Sequence, residues 1–225
     1  MAKVPERYKK ASQTACGIPI QIDTDSFSGK VSIDVLLVYN LGERDGRKIR
    51  GRMPGDLGKA EAWGFPAGGI EKGESPSVAM ERECRDESGY DVRSIIYEQD
   101  EPIIKADVWP NGNIIHFFLL ELDDLQGRIK ETDEIDAVER APRWMSVEEF
   151  FALPVQGDNH PVAGGVYCSH RRLLESVLLT IAEVSMEEVA NWPDPEFRDW
   201  LLWHKPAIEQ KVAELEGLGL LAERK

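Results

Sequence analysis

The chain has 225 residues, of which 42 % are hydrophobic and 30 % charged, and it carries a formal net charge of -14. That length suits one large domain, or one substantial domain with an appendage, and the composition is that of a soluble globular chain rather than a disordered one. The acidic balance repels nucleic-acid backbones and argues against a nucleic-acid-coating protein; small phosphorylated substrates stay open if a metal cation separates the negative partners.

Residues 1–29 show little periodicity and are expected to form an N-terminal arm, which starts basic but lacks the continuous apolar core of a secretory signal. "VSIDVLLVYN" (31–40) is β-branched and apolar, the composition of a buried strand. A polar excursion rich in Gly and Arg follows, and then "WGFPAGG" (63–69) ends a strand and enters a turn. The segment from Ser75-Pro76 predicts a helix over about 76–88, because Ser caps and Pro fits the first turn. "DVRSIIYEQD", "IIKADVW" and "NIIHFFLLEL" alternate as strands, with the Asn-Gly of "PNGN" (110–113) as a hairpin turn between the last two. None of these apolar runs is long enough to cross a bilayer.

A charged loop, "GRIKETDEIDAVERAP", leads to a short helix in "RWMSVEEFFAL", where Ser146 and Glu149 have capping-box spacing. "PVQGDNHPVAGG" (154–165) has a linker's composition. Beyond it, "SHRRLLESVLLTIAEV" and "DPEFRDWLLWHK" read as helices; Pro206 is expected to break or kink the second and Gly217 to end it. The predicted organisation is an arm (1–29), a mixed α/β domain (30–155), and a linker with a C-terminal helical extension (156–225). Cys16, Cys84 and Cys168 are odd in number and lack C-x-x-C spacing, which argues against a disulfide framework or a zinc knuckle and fits a cytoplasmic protein.

The chemistry concentrates in "GGIEKGESPSVAMERECRDESGY" (68–90). On a helix Glu83 and Glu87 share a face with Asp86 close by, while Met80 and Cys84 form an apolar stripe that would hold the helix to a sheet. Three carboxylates so placed repel one another unless a cation neutralises them, and hard oxygen ligands favour Mg²⁺ or Mn²⁺. Gly68 and Gly69 permit a turn whose backbone oxygens approach an ion closely. Such a metal can grip a pyrophosphate and activate water.

The spacing of Gly68, Glu74, Arg82-Glu83, Asp86-Glu87 and Gly89 resembles the Nudix box, and the strand pattern over 30–155 resembles the Nudix fold. The resemblance implies an α/β/α sandwich with a mixed sheet, here followed by the helical extension. It also implies hydrolysis, with Mg²⁺ or Mn²⁺, of a nucleoside diphosphate linked to another group. The Gly68 carbonyl, Glu83, Asp86 and Glu87 would surround the metal. Glu83, or an acid behind it, would help take the water's proton; Arg82 would orient the carboxylates and Glu74 would brace the box. Two positions depart from the pattern: Asp86 stands where the family usually has Glu, and Tyr90 replaces a small aliphatic residue. Members often add an acid from a later loop. Glu131, Glu134 and Glu139 are available, and Glu134 is the choice.

Trp63 and Trp109 could stack on a base or simply pack, and the basic loop with Arg44, Arg47, Lys48, Arg50 and Arg52 could steer phosphates or be a solvated loop. His116, on an apolar strand, reads as a satisfied core histidine rather than a base. "WGFPAGGIEKGE" is similar to Nudix enzymes acting on dinucleoside polyphosphates or 5′-triphosphate ends; nucleotide sugars, including ADP-ribose, stay open. The expected partner is a small phosphorylated nucleotide, with no membrane and no nucleic acid beyond 5′-end chemistry. The alternative function is a Nudix-fold nucleotide-binding or regulatory module with little turnover. The extension must bury its apolar stripe, either on its own domain or in a homodimer; it is expected to support assembly as a homodimer, with Trp192, Trp200 and Trp203 as candidate anchors.

Overall fold

The computed structural model describes residues 13–40, 43–44, 47–48, 62–99, 114–123, 139–156 and 164–221. Its first element corrects the expectation of an arm. Residues Gln13–Thr24 form β1, a twelve-residue strand inside the main sheet. Gly17 and Pro19 are residues that weaken a strand pattern. In the fold both have a place. A Cβ on Gly17 would lie 2.5 Å from Leu120 Cδ1 and 2.6 Å from Met80 Sδ, so only glycine lets a helix and a neighbouring strand close over this point. Pro19 sits where β1 changes partners, from pairing over 13–19 to pairing over 20–24.

The elements that follow are β2 (Val31–Asn40), the two-residue strands β3 (Glu43–Arg44) and β4 (Arg47–Lys48), β5 (Ala62–Gly64), β6 (Ala67–Gly69), α1 (Pro76–Ser88), β7 (Val92–Gln99) and β8 (Ile114–Leu122). Then come β9 (Glu139–Ser146), α2 (Val147–Ala152), β10 (Val155–Gln156), β11 (Gly165–Tyr167), α3 (Cys168–Glu183), α4 (Met186–Ala190) and α5 (Pro195–Gly217). The main sheet runs β10-β11-β5-β2-β1-β8-β7, with β6 also on β1 and β9 also on β2. It is mixed: β1 pairs parallel with β8 and antiparallel with β2 and β6. The expected strand over 103–109 and the turn at 110–113 lie outside the described residues. Part of the expected charged loop, from Glu139, is strand β9 on β2.

Each face of the sheet carries helices. On one face Ala15, Leu36, Phe118 and Leu120 pack with Ala79, Met80 and Cys84 of α1, the stripe the spacing predicts. On the other, Ile18, Ile33 and Val35 join Phe150 of α2 and Leu174, Leu178, Leu201, Ile208 and Val212 of α3 and α5 in one continuous cluster. The layers are therefore α1, sheet, and helices supplied mainly by the C-terminal extension. Its apolar stripe is buried within the chain, across the boundary expected near 155. Trp192 packs edge-on to Phe197 and Trp200 stacks on it, whereas Trp203 is 80 % exposed.

α5 runs through Pro206 without the break that is one of the two expectations. An interior proline costs a helix about 3 kcal/mol or more. Leu201, Ile208, Val212 and Leu215 of α5 are all but inaccessible, and large apolar side chains gain about 1.5–3 kcal/mol each on burial, so packing outweighs the lost hydrogen bond. Charged groups are matched as the extension docks: buried Lys211 donates to Glu148 of α2 at 2.6 Å and to Glu214 at 2.7 Å. Ser146 caps α2 by accepting from the Glu149 amide, but the Glu149 carboxylate pairs with Arg143. No helix among the described residues is long and apolar enough to cross a membrane.

Candidate functional site

α1 is set by its ends. Ser75 accepts from the Val78 amide, Pro76 occupies the first turn, and Gly89 closes the helix in the left-handed region (φ 73°), its N–H bonded to the Arg85 carbonyl. Met80 and Cys84, both fully buried, fix the rotation of the helix on the sheet. That rotation aims Glu83 and Glu87 at the short strand β6.

Glu83 is only 8 % exposed. A Cβ built on Gly68 would lie 2.0 Å from its Cδ and Oε1 and 2.2 Å from its Oε2, so the carboxylate occupies the space where any other residue at 68 would place a side chain. Glu87 reaches the same strand one residue earlier, its Oε2 accepting the Ala67 amide at 2.8 Å. With burial, its charge pushes the Cys16 thiol far up.

Arg82 ties the box together. Its Nη1 donates to Glu83 Oε1 at 2.6 Å, its Nε and Nη2 to the two oxygens of Glu74 at 2.9 and 3.0 Å, and its Nη2 also to the Gly69 carbonyl at 3.0 Å. Hydrogen bonding to Glu74 and then to Glu83 raises the guanidinium's pKa. In return the Arg82 hydrogen bonds, with the Glu71 amide on Glu74 Oε2, hold the Glu74 carboxyl below its usual range. One guanidinium thus spans the turn after β6, the residue ahead of the helix, and the buried acid.

Asp86 lies partly exposed on α1. Tyr90 packs its ring edge-on to Trp144 beside the α1 cluster. Trp63 is partly buried, T-shaped on Tyr39 at 4.8 Å, and packs against the main core. Glu131, Glu134, Trp109, Arg50 and Arg52 lie outside the described residues, and Glu139 is described only as the start of β9. His116 differs from its expected state: its Nε2 is buried and has no hydrogen-bond partner among the described residues.

The donor set near β6 is all oxygen, the chemistry a hard divalent cation requires. Two of its acids already rest on adjacent residues of one strand. Among the described residues no three Asp, Glu, His or Cys side chains are gathered as a metal site. A cavity of about 290 Å³ lies elsewhere, between the sheet and α5, bordered by Tyr90, Arg93, Glu121, Trp144, Trp200 and His204, and includes none of the box acids. Sequence reading also passed over His170, whose Nδ1 accepts the Phe65 amide at 2.7 Å just ahead of β6. No motif marks it, since it stands 105 residues from its partner.

The NUDIX domain family model matches residues 49–163, just over half of the chain. An RNA pyrophosphohydrolase of Nitratiruptor sp. is 39 % identical over 70 residues, 28 % of this chain and 45 % of the relative; the chain thus spans less than half of that protein's length. A CTP pyrophosphohydrolase of Escherichia coli is 27 % identical over 120 residues, 53 % of this chain and 82 % of the relative. Among solved structures, a NUDIX hydrolase from Nitrosomonas europaea is similar with a TM-score of 0.47 at 19 % identity, covering 76 % of this chain and 90 % of that one. The extent of the domain match, over a chain whose box residues bind one another as described, shows that it belongs to the Nudix family.

Proposed function

We propose that this protein is a metal-dependent pyrophosphohydrolase that cleaves a nucleoside diphosphate linked to another group. The candidate substrates are dinucleoside polyphosphates, nucleoside triphosphates or 5′-triphosphate ends, and nucleotide sugars. The observation that carries the reading is the seat of Glu83: a nearly buried carboxylate in the side-chain space of Gly68, held by an arginine that is itself braced by Glu74. A solvated acidic helix face would need neither the glycine nor the brace. The names of the relatives, RNA and CTP pyrophosphohydrolase, support the same bond class.

Glu83, Glu87, Asp86 and the Gly68 carbonyl would hold Mg²⁺ or Mn²⁺, with Glu134 completing the site. The bound cation supplies charge neutralisation at the phosphates and a more acidic water. In the reaction a water oxygen bonds to phosphorus, the bridging oxygen leaves with the bonding pair, and a carboxylate takes the water's proton. Glu83 is assigned that role. Arg82 keeps it in place, so less reorganisation is needed at the moment of attack. Trp109, Arg50 and Arg52 are assigned to the nucleotide; Trp63, which packs on Tyr39 and the main core, is not. The three scattered thiols, unpaired, suit a reducing cytoplasm.

The competing reading, a nucleotide-binding module with little turnover, draws on Asp86, one methylene shorter than the family's usual residue. Phosphate release from a nucleotide panel with Mg²⁺ or Mn²⁺, coupled to alkaline phosphatase, separates the two. Glu83→Gln keeps size and removes charge, and should lower turnover at least about a hundredfold while the protein stays folded. Turnover near wild type in metal-restored protein would sink the assignment.

A further inference from the structure

We propose that His170, in the first turn of α3, is a positioning residue for the box: its imidazole holds the corner between β5 and β6 that places Gly68 against Glu83. This rests on the hydrolase reading above, and it makes the C-terminal extension part of the site rather than only a cover for the sheet.

The corner is the two-residue link Phe65-Pro66. β5 lies between β2 and β11 in the sheet, while β6 pairs with β1. The chain therefore changes neighbours within two residues, and the groups from Phe65 to Gly69 are pinned by three different elements. The Phe65 amide donates to His170 Nδ1 at 2.7 Å, and the Pro66 carbonyl accepts from the Gly17 amide at 3.0 Å. The Ala67 amide goes to Glu87 and the Gly69 carbonyl to Arg82. Three of these pins come from β1 and α1. The fourth comes from α3.

The imidazole reaches the corner only because residue 64 is glycine. A Cβ there would stand 2.9 Å from His170 Nδ1 and 2.8 Å from Tyr167 Cδ2. The ring lies parallel to Phe65, with centroids 5.6 Å apart and planes 6° apart, so stacking and hydrogen bond act on one residue. Phe65 is buried, and its N–H has little access to water as a substitute partner. Because Nδ1 accepts, the ring must be neutral with its proton on Nε2. Burial lowers the His170 pKa to about 4, so the acceptor persists at neutral pH.

Gly68 is three residues beyond Phe65 and has no slack toward Glu83. Displacement of the corner therefore transfers to the carboxylate seat. His170→Phe retains a stacking ring without the acceptor, and His170→Asn places an amide oxygen near the Nδ1 position without the ring. In the full chain, His170→Phe should lower kcat about tenfold or more with KM changed less than about threefold, because misplacement by about 1 Å costs chemistry rather than binding. It should also raise the Mn²⁺ concentration for half-activity. His170→Asn should recover most of the lost kcat. The Phe65 amide, followed by hydrogen exchange, should be protected in wild type and in His170→Asn and lose protection in His170→Phe.

Wild-type kcat in His170→Phe would overturn the proposal. So would equal losses of kcat in both variants that track their thermal stability, the mark of a purely structural residue. If wild type turns over no nucleotide, the hydrolase reading fails on its own. The positioning role is then decided by Mn²⁺ titration and Phe65 exchange: both unchanged in His170→Phe overturns it, and both weakened sustains it.

Discussion

Gly68→Ala adds one methyl group at the point where the candidate site has least room. The new Cβ would stand 2.0 Å from Glu83 Cδ and Oε1, whereas carbon contacts settle at about 3.5–4 Å, so something must move by about 1.5 Å. β6 is paired to β1 through this residue, Ala15 opposite Gly68, and yields less readily than a side chain. Glu83 retreats instead, and its 2.6 Å bond to Arg82 is strained or lost. Because the far end of a side chain moves, stability should fall toward the low end of the overpacking range, about 1 kcal/mol. For a chain of this size that is about 2–4 °C in Tm. Activity should suffer far more, since a displacement of about 1 Å at a reacting group costs about a hundredfold. Initial rates of phosphate release at saturating Mg²⁺, with calorimetry on the same samples, measure both. In a Glu83→Gln background the same methyl should add little, because the two changes damage one group. Wild-type turnover in Gly68→Ala would refute the seat. A collapse in Tm would show instead that the glycine serves the fold.

The remaining predictions concern the metal, the brace and the extension. Asp86→Ala should raise the Mg²⁺ concentration for half-activity more than it changes substrate KM, and Asp86→Glu should be tolerated or improve metal use; a Mg²⁺ titration in which both match wild type makes Asp86 a bystander. Arg82→Ala removes the larger influence that holds the Glu74 carboxyl below its ordinary 4.5, leaving only the Glu71 amide. A depressed carboxyl stabilises the fold above its unfolded pKa, and that stability is lost as pH falls through the folded value. The stability gap between wild type and Arg82→Ala, from urea melts, should therefore be full near neutral pH and narrow below pH 4.5; a gap constant with pH would remove Glu74 from the account. Truncation after Gly165 bares the sheet face of Ile18, Ile33 and Val35 and should yield precipitate or lost near-UV signal. A soluble, active truncated chain would contradict the shared core. With the stripe buried within the chain, light scattering of the full protein should show a monomer at micromolar concentration; a dimer would move attention to exposed Trp203 and Leu202.

Much of the candidate site is legible from local signals. The cap at Ser75, the proline behind it and the stop at Gly89 act within a few residues, and they bound α1 as predicted. The spacing of Met80 and Cys84 sets which side of the helix faces the sheet, and hence where Glu83 and Glu87 point. β2, β7 and β8 likewise announce themselves by alternation or a β-branched apolar run. What no local signal carries is the identity of a distant partner. β1 contains a glycine and a proline, and only the approach of Met80 and Leu120 explains the first. Pro206 reads as a break or a kink, and only the packing of α5 on both sides of it shows why the helix continues. Arg82 could answer any nearby acid; its choice of Glu74 together with Glu83 needs the turn to be folded. His170 carries no pattern because its partner is an amide 105 residues away. Capping and periodicity are short-range preferences written into neighbouring residues, whereas strand partners, close approaches and long-range hydrogen bonds exist only once loop closure has brought remote segments into contact.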